Sequence, residues 1–358
     1  MQPRRLVDAY ACKCTLGCTL LDKLLRGGIS CGSVTELVGE ASAGKSQACL
    51  QLLVTCQWPV DQGGLQGKAM YVYTEGDPSM KRLLAIMSAS PFQATPDNIY
   101  WERDIEHGAD LFDRLQAIEV IMQQPQGLPL RLLVIDSIAH LFRDVGDKPD
   151  TSAYVQRTGM LFRISALLRR FADTYNIAVV VTNQVSDAFA EADISAKKQA
   201  PACKHTGGLR LLSSGRELVP ALGLAWASCI NTRLFLSRTE VAIANPQCQS
   251  SRSGLRIPSA ASYSVPLRYM QVVFSPCLPP ETCLFVVTQS GLQGVNNSRV
   301  YQGHQDHEGY TDRQLMQQSF PEQQSVLQPQ GNDTMPQYVS HTLPQQRTLA
   351  TGVFAAQG

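Results

Sequence analysis

Two rhythms of apolar residues alternate along this chain. An alternating apolar run enters Gly39 from Val34, and further apolar runs cover Ala69–Thr74, Arg131–Ser137 and Ile177–Gln184. Continuous apolar runs of this length predict strands buried on both faces. Between them, apolar residues recur at helical spacing. Ala48, Cys49, Leu50, Leu52, Leu53 and Cys56 form one set, and a helix from about Ser79 to Ala89 forms the next. Leu111, Leu115, Ile118 and Met122 follow, then Leu161, Ile164, Leu167, Leu168 and Phe171 on a helix from about Tyr154 to Asp173. Strands alternating with helices in this way predict an α/β fold, with a central, mostly parallel twisted sheet covered by helices on both faces.

The pattern also sets the organisation. Residues 1–33 read as an approach segment containing a short helix, with apolar positions 20, 21, 24 and 25, that Gly27 and Gly28 stop. Residues 34–294 read as one core, with later strands at Thr232–Ser237, Leu267–Phe274 and Cys283–Thr288 and a Ser-rich insert near Ser250–Ser264. From Ser186 to Leu222 no period is discernible, and a loop that long inside a domain is functional or disordered. Residues 295–358 are rich in Gln, Pro, Ser and His and predict a disordered tail.

Bulk composition narrows the function only a little. With 358 residues and a net charge of +1, no global basic field argues for nucleic acid, so any such partner must be met by a local patch. No apolar run is long enough to span a membrane, and Met1–Arg5 precede no apolar segment of a secretory signal, so no membrane partner is expected. The 11 Cys are scattered, which suits a reducing compartment. Cys12, Cys14 and Cys18 cluster without a matching Cys/His pair, a poor pattern for zinc. Cys49 and Cys56 read as small core residues.

The sharpest signal is Gly39-Glu40-Ala41-Ser42-Ala43-Gly44-Lys45-Ser46, between a strand and a helix. That context is what a phosphate-binding P-loop requires. Gly39 and Gly44 let the backbone turn so that several N–H groups point at one phosphate, and the helix adds its positive end. Lys45 supplies a cation for the outer phosphates, and the Ser46 hydroxyl is placed to ligate Mg²⁺.

Three further strand ends carry polar groups that such a site needs. Asp136 ends the run Leu-Leu-Val-Ile-Asp and would hold the hydration shell of Mg²⁺. Glu75 is placed to orient an attacking water, and Gln184 to sense the terminal phosphate. In an open parallel sheet, ligands sit at the carboxyl ends of the strands. The plain alternatives are a helix-capping acid for Glu75 and an amide satisfying the strand end for Gln184. A GTPase would need Asn-Lys-x-Asp, but Asn183-Gln184-Val185-Ser186 stands there.

These motifs occur in the order seen in eukaryotic RecA-type recombinases, which the chain resembles from about residue 15 to 294. Asp22–Ile29, Gly39–Ser46, Thr74-Glu75-Gly76, Leu133–Ser137, Thr182–Val185 and Ser275–Pro280 carry the resemblance. Within that family it is most similar to the recombinase paralogues, to which Gly39–Lys45 and Val219–Gly223 point. The resemblance implies a RecA-like P-loop core that binds ATP and Mg²⁺, with Lys45 and Glu75 in catalytic roles. It also implies homologous-recombination repair of double-strand breaks, in the nucleus with the cytoplasm left open, and a heterodimer with another paralogue. A recombinase filament and single-stranded or branched DNA are the other implied partners. Residue by residue, it makes Arg82 the arginine that stacks on adenine and Gln184 the link from nucleotide to the second DNA-binding loop. That loop would be residues 186–222, with Lys197, Lys198, Lys204 and Arg210, and a solvated insert is the bland alternative. The first DNA-binding loop would lie near Arg143 to Lys148, where Asp144 and Asp147 dilute the positive charge.

Two departures from the family pattern stand out. Phe274 stands where the usual recombinase has an Asp that caps the neighbouring subunit's nucleotide. The helix-hairpin-helix domain and the Phe-x-x-Ala linker expected upstream are missing from the sequence. Two functions therefore stay open: a weak DNA-stimulated ATPase, or a nucleotide-gated adaptor that remodels recombinase filaments with negligible hydrolysis.

Overall fold

The computed structural model describes residues 12–124, 127–142, 151–187, 211–213, 216–244 and 264–296. In chain order the strands and helices are β1 (Lys13–Cys14), α1 (Thr19–Leu24), β2 (Ile29–Ser30), β3 (Ser33–Gly39), α2 (Lys45–Thr55), β4 (Lys68–Tyr73) and α3 (Met80–Ser88). Then come β5 (Ile99–Glu102), α4 (Gly108–Gln123), β6 (Leu130–Asp136), α5 (Thr151–Tyr175), β7 (Ala178–Asn183) and β8 (Val185–Asp187). The chain continues through β9 (Leu211–Ser213), β10 (Arg216–Pro220), α6 (Gly223–Ala227), β11 (Thr232–Ala244), β12 (Ser264–Phe274), β13 (Thr282–Thr288) and β14 (Gly291–Val295).

Nine strands form the central sheet in the order β14-β13-β12-β11-β3-β7-β6-β4-β5. From β11 to β5 all neighbours are parallel, while β11 through β14 pair antiparallel. The α/β expectation therefore holds. β3, which leads into the P-loop, lies between β7 and β11, so its backbone is paired on both sides.

The two-residue alternation of the strands divides the core. Ala69 and Tyr71 of β4, Leu132 and Val134 of β6 and Ala178 and Val180 of β7 meet the apolar face of α2 and Leu83 and Ile86 of α3. Met70, Val72, Leu133, Ile135, Val179 and Val181 face the other way, onto Leu111, Leu115 and Ile118 of α4 and Leu161, Ile164, Leu168 and Phe171 of α5. The helical sets read from the sequence are thus the faces that cover the sheet.

Local details go beyond the sequence reading. The stretch 186–222 is not featureless: β8, β10 and β9 form a small antiparallel sheet, in that order. Its strands are three to five residues long, too short for a period to stand out. The edge strand β5 and the strand pairs β1–β2 and β13–β14 add pairing that the apolar pattern does not announce. Glu75 does not cap a helix: Ser79 caps α3, its hydroxyl accepting from the backbone N–H of Arg82. The Cys12, Cys14 and Cys18 side chains diverge: Cys14 packs against Thr55, and Cys18 accepts from Gly294 N–H. Arg143, Lys148, Lys197, Lys198, Lys204 and Arg210, and the tail beyond 296, lie outside the described residues.

Candidate nucleotide-binding site

The P-loop is built as its sequence requires. A Cβ at Gly39 would collide with the carbonyl oxygen of Leu236 on β11, so only glycine lets β3 end there. Gly44 has φ +110° as the residue before α2, a conformation strained for any residue with a side chain. α2 then starts at Lys45 and directs the positive end of its dipole at the loop. Ala43 sends its side chain into the core and offers only its backbone to the loop, whereas Ala41 and Ser42 are exposed.

A cavity of about 1330 Å³ opens at this end of the sheet. Gly39, Glu40, Ala41, Ser42, Gly44, Lys45 and Ser46 line one side of it, and Glu75, Asp136 and Gln184, each at or just past a strand end, line it too. The four segments that the sequence singles out, scattered over more than 140 positions, are therefore one site.

Within it each side chain has defined partners. Lys45 Nζ donates to Gly39 O at 2.7 Å and to Glu40 O at 2.8 Å. Burial pulls its pKa down, against the opposing charges of Asp136, Glu75 and Glu40. Asp136 is fixed at the end of β6: Oδ2 accepts from the Tyr71 hydroxyl at 2.7 Å, and Oδ1 from Thr182 at 2.6 Å. Each oxygen keeps a further lone pair for a metal-bound water. The Tyr71 hydroxyl is held protonated by burial and by the Asp136 charge. Glu75 receives Gln184 Nε2 on both carboxylate oxygens and has His140 Nδ1 3.0 Å from Oε1.

Arg82 adjoins the cavity through Gln47, whose Oε1 accepts from its Nε at 2.5 Å. Its other nitrogens donate to Thr288 O at 2.6 Å and Gln289 O at 2.7 Å, tying α3 to the β13–β14 turn. These bonds engage all three guanidinium nitrogens.

The residues fit a nucleotide and Mg²⁺: a glycine-bounded anion loop, a cation on it, an exposed hydroxyl at Ser46 and a fixed carboxylate opposite. The Rad51 family model matches residues 9–215. The chain belongs to the Rad51 family. It is 36% identical to the DNA repair protein XRCC3 homolog of Arabidopsis thaliana, over 79% of this chain and 93% of that one. It is 32% identical to the DNA repair protein XRCC3 of Bos taurus, over 78% and 74% of the two chains. It is also 33% identical to the DNA repair protein RAD51 of Saccharomyces cerevisiae, over 78% and 58%.

Several residues at this Rad51-family site were not legible as site residues. His140 follows Asp136 by four positions, on the 3₁₀ turn Ala139–Phe142, and that proximity was the available signal. Arg216 of β10, Arg238 of β11 and Arg268 of β12 also line the cavity. Glu40 is buried, accepts from Ser213 Oγ at 2.5 Å, is ion-paired with Arg216 and has Arg238 3.8 Å away. No local spacing connects these residues, because β10, β11 and β12 bring them in from the far half of the chain.

Beneath the loop lies a second buried charge. Glu36 of β3 is ion-paired with Arg233 of β11 and accepts from Trp226 Nε1 at 2.9 Å and Asn183 Nδ2 at 2.7 Å. Asn183 is the residue before Gln184, so this network fixes the strand end from which Gln184 reaches Glu75. Phe274 lies over the same guanidinium, 5.2 Å from its ring centre.

Proposed function

We propose that the protein is an ATP-binding recombinase paralogue acting in homologous-recombination repair of DNA double-strand breaks. The observation that carries this reading is the convergence of Lys45, Ser46, Glu75, Asp136 and Gln184 on one cavity at the carboxyl ends of the parallel strands. The names of its relatives, DNA repair proteins all, point the same way.

In this reading the P-loop backbone and Lys45 take the β- and γ-phosphates, and Arg82 presents a face to the adenine. Ser46 and Asp136 would hold Mg²⁺. The ion would neutralise charge building on the phosphates. Glu75 holds and polarises the attacking water. Gln184 joins Glu75 to β8 and so links nucleotide to the segment between β8 and β9, where single-stranded or branched DNA would bind. The protein works in the nucleus as part of a heterodimer with another paralogue, against a recombinase filament, and hydrolysis is weak and DNA-stimulated.

Phe274 favours a second reading. An aromatic ring packed on Arg233 offers no carboxylate to a neighbour's nucleotide, which suits a nucleotide-gated adaptor with negligible turnover. Equilibrium binding of a fluorescent ATP analogue tests the common premise. Wild type should bind in the presence of Mg²⁺, and Lys45→Ala should lose binding, because the outer phosphates lose the P-loop cation. Equal affinity in the two would remove the nucleotide reading. Co-purification with recombinase paralogues, with and without ATP and Mg²⁺, tests the partner.

A further inference from the structure

Three arginines that belong to no P-loop motif line the nucleotide cavity, and all three contact the loop. Arg268 Nε donates to Ser42 O at 3.2 Å. Arg238 reaches within 3.8 Å of Glu40 and holds its Nε buried without a hydrogen-bond partner. Arg216 is the most accessible of the three, with 55% of its side chain exposed. Its Nη2 pairs with the Glu40 carboxylate, and its Nη1 lies 3.3 Å from Asp187 Oδ1 on β8.

Glu40 therefore joins two cations. Its carbonyl oxygen accepts from Lys45, and its carboxylate accepts from Arg216. Lys45 and Arg216 thus meet at one residue of the loop and line the same cavity. A polyphosphate there would repel the Glu40 carboxylate and offer the guanidinium a stronger, bidentate acceptor. We propose that Arg216 is a phosphate-binding residue supplied by the same chain. It would exchange Glu40 for the terminal phosphate of ATP and so set the preference for ATP over ADP. The proposal rests on the nucleotide reading and extends it to a residue outside the P-loop. Because β10 pairs with both β8 and β9, the same exchange reports the phosphate count to the small sheet.

The test is the ratio of ADP to ATP dissociation constants, measured with Mg²⁺ on the full chain, for wild type and three variants. Arg216→Ala should weaken ATP by roughly tenfold or more, the scale of one charge-assisted hydrogen bond, and leave ADP unchanged. Arg216→Lys should recover part of the preference. Glu40→Gln should shift the ratio the other way, because it releases Arg216 from its competitor. Melting curves establish that each variant is folded. An unchanged ratio in a folded Arg216→Ala overturns the proposal and leaves Arg216 as the structural partner of Glu40. If wild type binds neither nucleotide, the nucleotide reading itself fails and the proposal falls with it.

Discussion

Gln184 Nε2 donates to both carboxylate oxygens of Glu75, at 2.9 and 3.1 Å, across a sequence separation of 109 residues. The first residue follows β7 and the second follows β4, and β6 lies between those strands. One amide nitrogen shared between both oxygens of a carboxylate fixes its orientation without neutralising it. His140 Nδ1 lies 3.0 Å from Oε1 of the same carboxylate, on the turn after Asp136. A group meant to aim a water molecule needs this kind of support, since small misplacement costs rate steeply.

Glu75→Gln should bind ATP with wild-type affinity and lose hydrolysis by roughly 10²- to 10⁴-fold, the range of a general-base contribution. The amide keeps the size of the side chain but cannot draw a proton from water. Single-turnover hydrolysis and analogue binding, measured on the same preparation, separate the two effects. Hydrolysis at the parent rate would make Glu75 structural.

Gln184→Ala takes away the amide that orients Glu75. It also removes the connection from Glu75 to Val185 and β8. Hydrolysis without DNA should therefore fall, and stimulation of what remains by single-stranded DNA should disappear. Rates measured with and without DNA decide this. Full stimulation in the variant would place the coupling elsewhere.

How much of this was readable beforehand varies with distance along the chain. β3, the P-loop and α2 are contiguous, so strand, turn and helix signals reinforced one another there. Asp136 was readable because a buried parallel strand ends on a carboxylate. The cationic wall of Arg216, Arg238 and Arg268 was not, since antiparallel pairing of β10 with its neighbours and of β11 with β12 sets their positions and leaves no periodic trace. Glu36 also escaped notice: it sits in an apolar strand, and its counter-ion lies almost two hundred residues away on β11.

Glu36→Ala should destabilise the fold by about 3–5 kcal/mol, the cost of breaking a buried ion pair. Arg233 is 3% exposed and would keep its charge without a counter-ion, while Trp226 Nε1 and Asn183 Nδ2 would lose their acceptor. Glu36→Gln retains an acceptor oxygen and should cost less. Denaturant titration of both variants checks the order. A midpoint for Glu36→Ala equal to that of wild type would mean the network carries no stability.

The last prediction concerns the segment between β8 and β9. β8, which opens it, is rooted at Gln184, and Ser213 at the end of β9 bonds to Glu40 of the P-loop. Its Lys197, Lys198, Lys204 and Arg210 would meet the phosphates of single-stranded DNA. Ion pairs of that kind release counterions, so affinity falls with salt, and the logarithmic slope measures how many phosphates are neutralised. Replacing all four by Ala should weaken single-strand binding and flatten the slope by roughly 0.7 for each phosphate left without its cation. ATP affinity should be unchanged, because none of the four belongs to the P-loop or to the strand ends around it. A parallel variant, Arg143→Ala with Lys148→Ala, should do less, since Asp144 and Asp147 already offset those charges. Titrations at several salt concentrations, with ATP present, read all of these at once. Identical affinity and slope in the fourfold variant would show that the segment is a solvated insert and that DNA, if bound, is held elsewhere.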